Sequence, residues 1–189
     1  MAGTALRDFV RQQHEKVSKT PNKEIDWDGR RTAWIEQVES LLDRIKKWLL
    51  PLYKEALLDL VEGKTTLEEE FIGRYEVPWL EVLIGRQRAR IIPKGTLVIG
   101  SFGRVDLEGP MGKLLLVLSD TGTSPKVTVH VSVGDPFSVQ PEDLDEEKRS
   151  SVEMIKKSQW YFVYPDDRKK LTPLTEDTFS DALQRVLRP

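Results

Sequence analysis

The chain has 189 residues, 39 % of them apolar and 32 % charged, and its 29 basic and 31 acidic residues leave a net charge of −2. This balance is typical of a folded globular protein, excludes collagen-like and largely disordered chains, and argues against a dedicated duplex-DNA-binding protein, which carries a marked basic excess. Because there is no cysteine, disulfides, thiolate metal sites and cysteine nucleophiles are excluded.

The first third of the sequence is predicted to be helical. Residues 4–18 place apolar side chains on one side at helical spacing, and a polar linker follows. Residues 28–62 are predicted to form a second, long helix with a kink at Pro51 and an end at Gly63. Together the two helices would make an N-terminal helical hairpin.

The apolar row of the second helix predicts a contact surface. Its members recur every three or four residues and are Trp34, Val38, Leu41, Ile45, Trp48 and Leu52. A straight helix of this length would be roughly 50 Å long, whereas a compact chain of this size is roughly 32 Å wide. Either Pro51 folds the helix into two pieces, or one end projects and contacts another chain. For the second case, we predict a partner interface formed by Trp34, Val38, Leu41, Ile45 and Trp48.

From residue 66 the apolar period changes from 3.6 to 2, which predicts β-strands. The predicted strands cover residues 67–75, 79–84, 87–92, 96–101, 104–108, 113–119 and 127–133. Short strands joined by tight turns favour an antiparallel meander that is strongly curved or closed into a partial barrel. A two-residue turn at Gly85 and Arg86 would place Glu81 opposite Arg90.

The remaining chain predicts a helix ending near residue 158, a strand over 160–164 and a C-terminal helix capped by Thr175. The fold class is therefore α+β: an N-terminal helical hairpin packs on a curved antiparallel β meander or partial barrel, which a C-terminal helix closes. We divide the chain into a helical segment, residues 1–63, and a β-rich domain with the C-terminal helix, residues 64–189.

Basic residues in the predicted sheet form a second candidate site. Arg86, Arg88 and Arg90 alternate, so their side chains would share one side of a strand. Arg88 and Arg90, together with Arg104 and His130, could line a concave pocket for a small ligand or nucleotide. In such a pocket His130 is the plausible general base. The competing interpretation is a solvated sheet face whose charges pair across strands, as Glu81 with Arg90.

An acidic run at Asp143, Asp145, Glu146 and Glu147 is better explained by a helix N-terminus than by a metal site. An EF-hand loop needs a glycine at its sixth position and a glutamate at its twelfth, and this run offers neither. No metal site and no cofactor are predicted.

The motifs HExxH, Walker A, GxSxG and GxGxxG do not occur in the sequence. We therefore predict a non-enzymatic binding or scaffolding subunit that acts through its N-terminal helices, in a larger complex or as a homodimer. Two alternatives stay open. The first alternative is a protein that binds a small ligand or nucleotide in a pocket, and this protein could be an enzyme without a recognisable sequence motif. The second alternative is a protein that binds RNA or single-stranded DNA on the sheet face that carries the arginines. The sequence contains no membrane-length apolar run and no signal peptide, which predicts a cytoplasmic protein.

Overall fold

The computed structural model describes residues 26–96, 100–120 and 151–188, without the side chains of residues 151 and 167–169. These residues form, in chain order, α1 (Trp27–Lys54), β1 (Asp59–Glu69), β2 (Gly73–Ile84), β3 (Gln87–Gly95), β4 (Gly103–Gly109), β5 (Gly112–Ser119), α2 (Ser151–Lys157), β6 (Gln159–Tyr164), β7 (Asp167–Pro173) and α3 (Glu176–Leu187). The predicted helix over 4–18 and the predicted strand over 127–133 lie outside the described residues.

The strands form one antiparallel sheet in which each strand pairs with the next along the chain, from β1 at one edge to β7 at the other. The α+β prediction is confirmed, since a helix precedes this open meander and a C-terminal helix follows it. The predicted pair Glu81 and Arg90 is confirmed, because a two-residue turn sets the register of the strands it joins.

α1 begins where the side chain of Asp26 accepts a hydrogen bond from the Gly29 N–H at 2.7 Å, which satisfies one of the free donors of the first turn. The helix continues through Pro51, so the predicted division into two pieces does not occur. A proline removes only one backbone hydrogen bond, and Pro51 is exposed, so water can reach the carbonyl that it leaves unpaired.

The prediction that this helix continues to residue 62 is wrong. Ala56 adopts a left-handed conformation, with φ of +56°. The N–H of Ala56 then binds the carbonyl of Tyr53, and the N–H of Leu57 binds that of Leu52, each at 3.0 Å. These two bonds are the Schellman pattern that ends a helix. Residues 59–69 pair with β2 along their whole length, so the predicted division at residues 63 and 64 falls inside β1.

A hydrophobic core joins α1 and α3 to the sheet. Its largest fully buried side chains include Trp34 of α1, Phe162 of β6 and Phe179 of α3. α3 begins at a reciprocal cap, in which Thr175 and Thr178 each accept a hydrogen bond from the other's backbone N–H. The core therefore holds the C-terminal part of the chain against the first helix.

Candidate functional site

Most of the residues predicted to form a partner interface face the chain's own core. Four of the five are fully buried: Trp34, Val38, Leu41 and Ile45. The fifth, Trp48, is partly buried and packs against Phe179, with 5.9 Å between the ring centroids. In this fold a partner cannot reach the four buried side chains, because the sheet and α3 already cover that side of α1.

The C-terminal end of α1 extends beyond this core. Every residue from 50 to 57 is exposed, and we call this segment the α1 tip. Four of its side chains are large and apolar, with exposed fractions of 43 % for Leu50, 42 % for Leu52, 49 % for Tyr53 and 58 % for Leu57. Val61 of β1 is 39 % exposed, but it lies opposite Glu81 on the sheet face that points away from the core. The four tip side chains lie on more than one side of the helix end, and exposed apolar side chains concentrated at one place favour a contact site.

The α1 tip is held in a defined conformation by its own backbone. Glu55 donates its N–H to the Pro51 carbonyl at 3.1 Å, and the next two N–H groups close the helix end. The left-handed conformation of Ala56 is strained, because a side chain other than glycine's costs about 1–2 kcal/mol there. Phe71 also has a left-handed conformation, with φ of +68°, so this backbone geometry does not by itself distinguish the α1 tip.

A cavity of about 570 Å³ adjoins the α1 tip, between the helix end and the turn that joins β2 to β3. It is lined by Ala56, Leu57, Leu58, Asp59, Leu83, Gly85, Arg86, Gln87 and Arg88. Leu57, Leu58 and Leu83 contribute part of the lining, Arg86 and Arg88 supply positive charge, and Asp59 supplies one negative charge. Gln87 donates to the carbonyl of Leu187 at 2.9 Å, which ties the turn to the end of α3. With two arginines and one aspartate, the lining carries a net positive charge that can attract a carboxylate.

The arginines predicted to bind a ligand do not converge on one cavity. Arg88 and Arg90 alternate with the buried residues Ala89 and Ile91, so they lie on the sheet face that points away from the core. Arg90 Nε donates to Glu81 Oε1 at 2.8 Å, and Arg88 Nη1 lies 3.9 Å from the same oxygen. Of the predicted ligand-binding arginines, only Arg88 lines the cavity beside the α1 tip.

Arg104 is paired instead with Asp106 on its own strand. Its Nε and Nη2 donate to the two carboxylate oxygens at 2.6 and 2.7 Å, and Lys113 lies 3.8 Å from Oδ2. The hydrogen bond to Asp106, which is fully buried, raises the pKa of Arg104. The predicted residue His130 lies outside the described residues, as do the acidic residues 143–147.

A smaller cavity of about 290 Å³ lies among Tyr164, Asp166, Lys170, Thr172 and Arg185. Arg185 forms an ion pair with Asp166 and lies over the ring of Tyr164, 5.4 Å from its centroid. Burial raises the pKa of Tyr164, so this hydroxyl stays protonated. Arg185, Asp166 and Tyr164 contact one another, and the described groups of this cavity show no activated nucleophile or base.

Within the described ranges, no group of three or more His, Cys, Asp or Glu side chains is placed to hold a metal ion. None of the helices in that part of the chain is long and apolar enough to cross a membrane. No protein-family model, curated protein or solved structure matches this chain.

Sequence reasoning did not identify the α1 tip as the exposed part of the helix. Leu50 and Tyr53 fall outside the apolar row that runs along the buried side of α1, and Leu57 follows the helix end. The sequence feature that could have revealed the tip is the concentration of apolar residues at the end of the helix. Leu49, Leu50, Leu52 and Tyr53 lie on different sides of its last turns, and Leu57 follows them. A helix that is apolar all round must be covered on more than one side.

Proposed function

We propose that this protein is a non-enzymatic protein-binding module that forms a homodimer through the α1 tip. The observation that supports this proposal is the exposure of Leu50, Leu52, Tyr53 and Leu57 at the end of a helix whose earlier turns are packed into the core. Apolar surface in water is unfavourable, so a second chain that covers it gains free energy. The interface lies on the N-terminal helical segment, as expected from the sequence, but at its end rather than along its buried row.

The charges around the α1 tip favour a second copy of this chain as the occupant. Lys54 and Glu55 are neighbours on the tip, and Asp59 lines the same cavity as Arg86 and Arg88. A surface that carries both signs can complement its own copy, and a net charge of −2 adds little long-range repulsion. In a two-fold symmetric contact the same patch is used twice, which doubles the apolar surface buried.

The exposed apolar area sets the expected strength of the dimer. Burying half of the exposed parts of the four tip side chains in both copies contributes about 10 kcal/mol. Association costs roughly 4–15 kcal/mol through lost translational and rotational freedom. The free energy of burial exceeds the lower estimates of this cost by only a few kcal/mol. The expected dimer is therefore weak, with a Kd on the order of micromolar to millimolar.

Sedimentation velocity of the full chain from roughly 2 to 500 μM tests the proposal, because even a Kd of about 1 mM would leave roughly a third of the chains dimeric at the highest concentration. We expect the sedimentation coefficient to rise from the monomer value towards the dimer value. The double variant Leu52→Ser and Leu57→Ser should remain monomeric, because the two serines remove apolar surface from the centre of the contact. Its unfolding midpoint should stay close to that of the wild type, since both side chains are exposed.

Phe71→Ser is the matched control. Phe71 is 68 % exposed, more than any tip side chain, but it lies in the turn between β1 and β2, at the other end of β2 from Arg86. We expect this variant to dimerise like the wild type. A wild-type chain that is monomeric throughout, or a tip variant that dimerises as well as the wild type, would contradict the proposal.

A further inference from the structure

Resting on this proposed dimer, we infer that the carboxylate of Glu55 enters the cavity beside the α1 tip of the partner subunit and pairs there with Arg86 of the partner subunit. The two-fold symmetry makes the contact reciprocal, so each dimer contains the pair twice. The cavity is thereby assigned a ligand: a carboxylate carried beside apolar side chains on the second copy.

Glu55 presents an unused carboxylate at the α1 tip. It follows the last helical residue, and its backbone N–H is bound to Pro51. Its side chain is exposed and forms no ion pair or hydrogen bond with any of the described residues. The residues before and after it include the exposed apolar side chains Leu52, Tyr53 and Leu57, so a partner that covers those side chains also surrounds this carboxylate.

Arg86 supplies the matching positive charge. It lies in the turn between β2 and β3, beside Gly85, whose φ of +59° allows that tight turn. Arg86 is exposed, and within the described ranges it has no ion-pair partner. The other arginine of the cavity, Arg88, already lies 3.9 Å from Glu81. An incoming carboxylate therefore has Arg86 as its available partner.

The positions of the two residues suit a contact between copies. Ala56 and Leu57, which directly follow Glu55, line the same cavity as Arg86, so both charged residues lie close to one end of α1. A two-fold axis that passes beside the α1 tip places each Glu55 opposite the partner's Arg86. A cavity of about 570 Å³ has ample room for one glutamate side chain.

The pair would act mainly on specificity. Contacts between leucine side chains tolerate sliding, whereas a carboxylate and a guanidinium must meet at one place, which determines the register of the two tips.

Charge reversal with rescue tests this inference. We expect Glu55→Arg and Arg86→Glu, each alone, to raise the Kd of the dimer by about tenfold or more, because each places like charges opposite each other twice per dimer. The double variant Glu55→Arg with Arg86→Glu restores opposite charges and should return the Kd to within about threefold of the wild type. Sedimentation velocity at several concentrations measures all four proteins.

Arg74→Glu and Glu76→Arg provide the matched controls, because both residues are exposed and lie at the other end of β2 from Arg86. Neither should change the Kd. If the wild type dimerises and the serine variants of the tip do not, but the charge reversals have no effect or the double variant shows no rescue, the inference is wrong while the proposed function stands. A monomeric wild type overturns both.

Discussion

The hydroxyl of Tyr75 donates a hydrogen bond to Glu69 Oε1. The other oxygen of this carboxylate accepts from the backbone N–H of Thr96 at 2.9 Å, and Thr96 in turn binds Arg30 through its hydroxyl at 2.8 Å and its carbonyl at 2.7 Å. This chain of contacts joins α1 to β1, to β2 and to the end of β3. Burial, followed by the hydrogen bond to Glu69, raises the pKa of Tyr75, so the hydroxyl stays protonated.

Replacing this hydroxyl should give a pH-dependent loss of stability. For Tyr75→Phe we expect the free energy of unfolding to fall by about 1.5–3 kcal/mol at pH 8, because a buried hydrogen bond to a charged group is lost. The folded-state pKa of Tyr75 is raised above its unfolded value of about 10. The contribution of the hydroxyl to the free energy of unfolding is therefore complete below pH 10, and it declines as the pH rises towards the folded-state pKa.

The difference between wild type and Tyr75→Phe should therefore shrink by about 1.4 kcal/mol between pH 8 and pH 11, because only the unfolded wild type ionises at this position. Urea unfolding at the two pH values measures it. An equal difference at both would show that Tyr75 titrates normally in the folded state.

The ion pair of Arg104 and Asp106 should respond unequally to loss of its two partners. Arg104→Leu leaves a fully buried carboxylate with only Lys113, at 3.8 Å, as a cation, and should cost about 2–4 kcal/mol. Asp106→Leu places an apolar side chain between Ile92 and Leu115, its cross-strand neighbours, and leaves a partly exposed arginine that can turn to water. It should cost less than about 1.5 kcal/mol. Equal losses in urea unfolding would contradict this asymmetry.

A methyl group added at Gly103 should disturb the core. Its Cβ would lie 2.1 Å from a ring carbon of Trp34, which is fully buried and cannot move aside. We expect Gly103→Ala to lower the free energy of unfolding by about 2–3 kcal/mol. Gly63→Ala is the control, since its Cβ would meet the ring of Trp79 at 2.4 Å, but that ring is partly exposed and can shift. Thermal unfolding should give the smaller loss for Gly63→Ala.

A substitution at the end of α1 should stabilise the protein. Ala56 occupies a left-handed conformation that glycine adopts without strain. The relieved strain exceeds the added flexibility of the unfolded chain, so Ala56→Gly should raise the free energy of unfolding by about 0.5–1 kcal/mol. Urea unfolding below the Kd of the proposed dimer measures this gain. A loss of stability would mean that the helix does not end in this conformation.

Local patterns accounted for much of the sheet. The register of β2 and β3 follows from the two-residue turn at Gly85 and Arg86, and a turn over residues 110–111 likewise places Glu108 opposite Lys113. The spacing of Phe179, Ala182 and Val186 predicted α3 correctly. These features depend on residues close together in the chain, so their physical causes are present in the sequence itself.

The end of α1 could not be found in the same way. Alanine is the strongest helix former, so nothing at Ala56 signals a left-handed helix end. Residues 59–66 become strand because they pair with β2, and pairing partners are not visible in a local periodicity. Only the assembled sheet could show that the predicted helix stops early.

The sequence by itself determined that α1 has one apolar side, that the following chain forms an antiparallel meander, and that a C-terminal helix packs on it. Only the tertiary structure decided that Trp34, Val38 and Ile45 face this chain's own sheet, and that the exposed apolar surface lies at the α1 tip. The physical reason is that an apolar period reports that one side of a helix is buried, but not what covers it. Where the sheet ends along the helix is decided by pairings between distant residues.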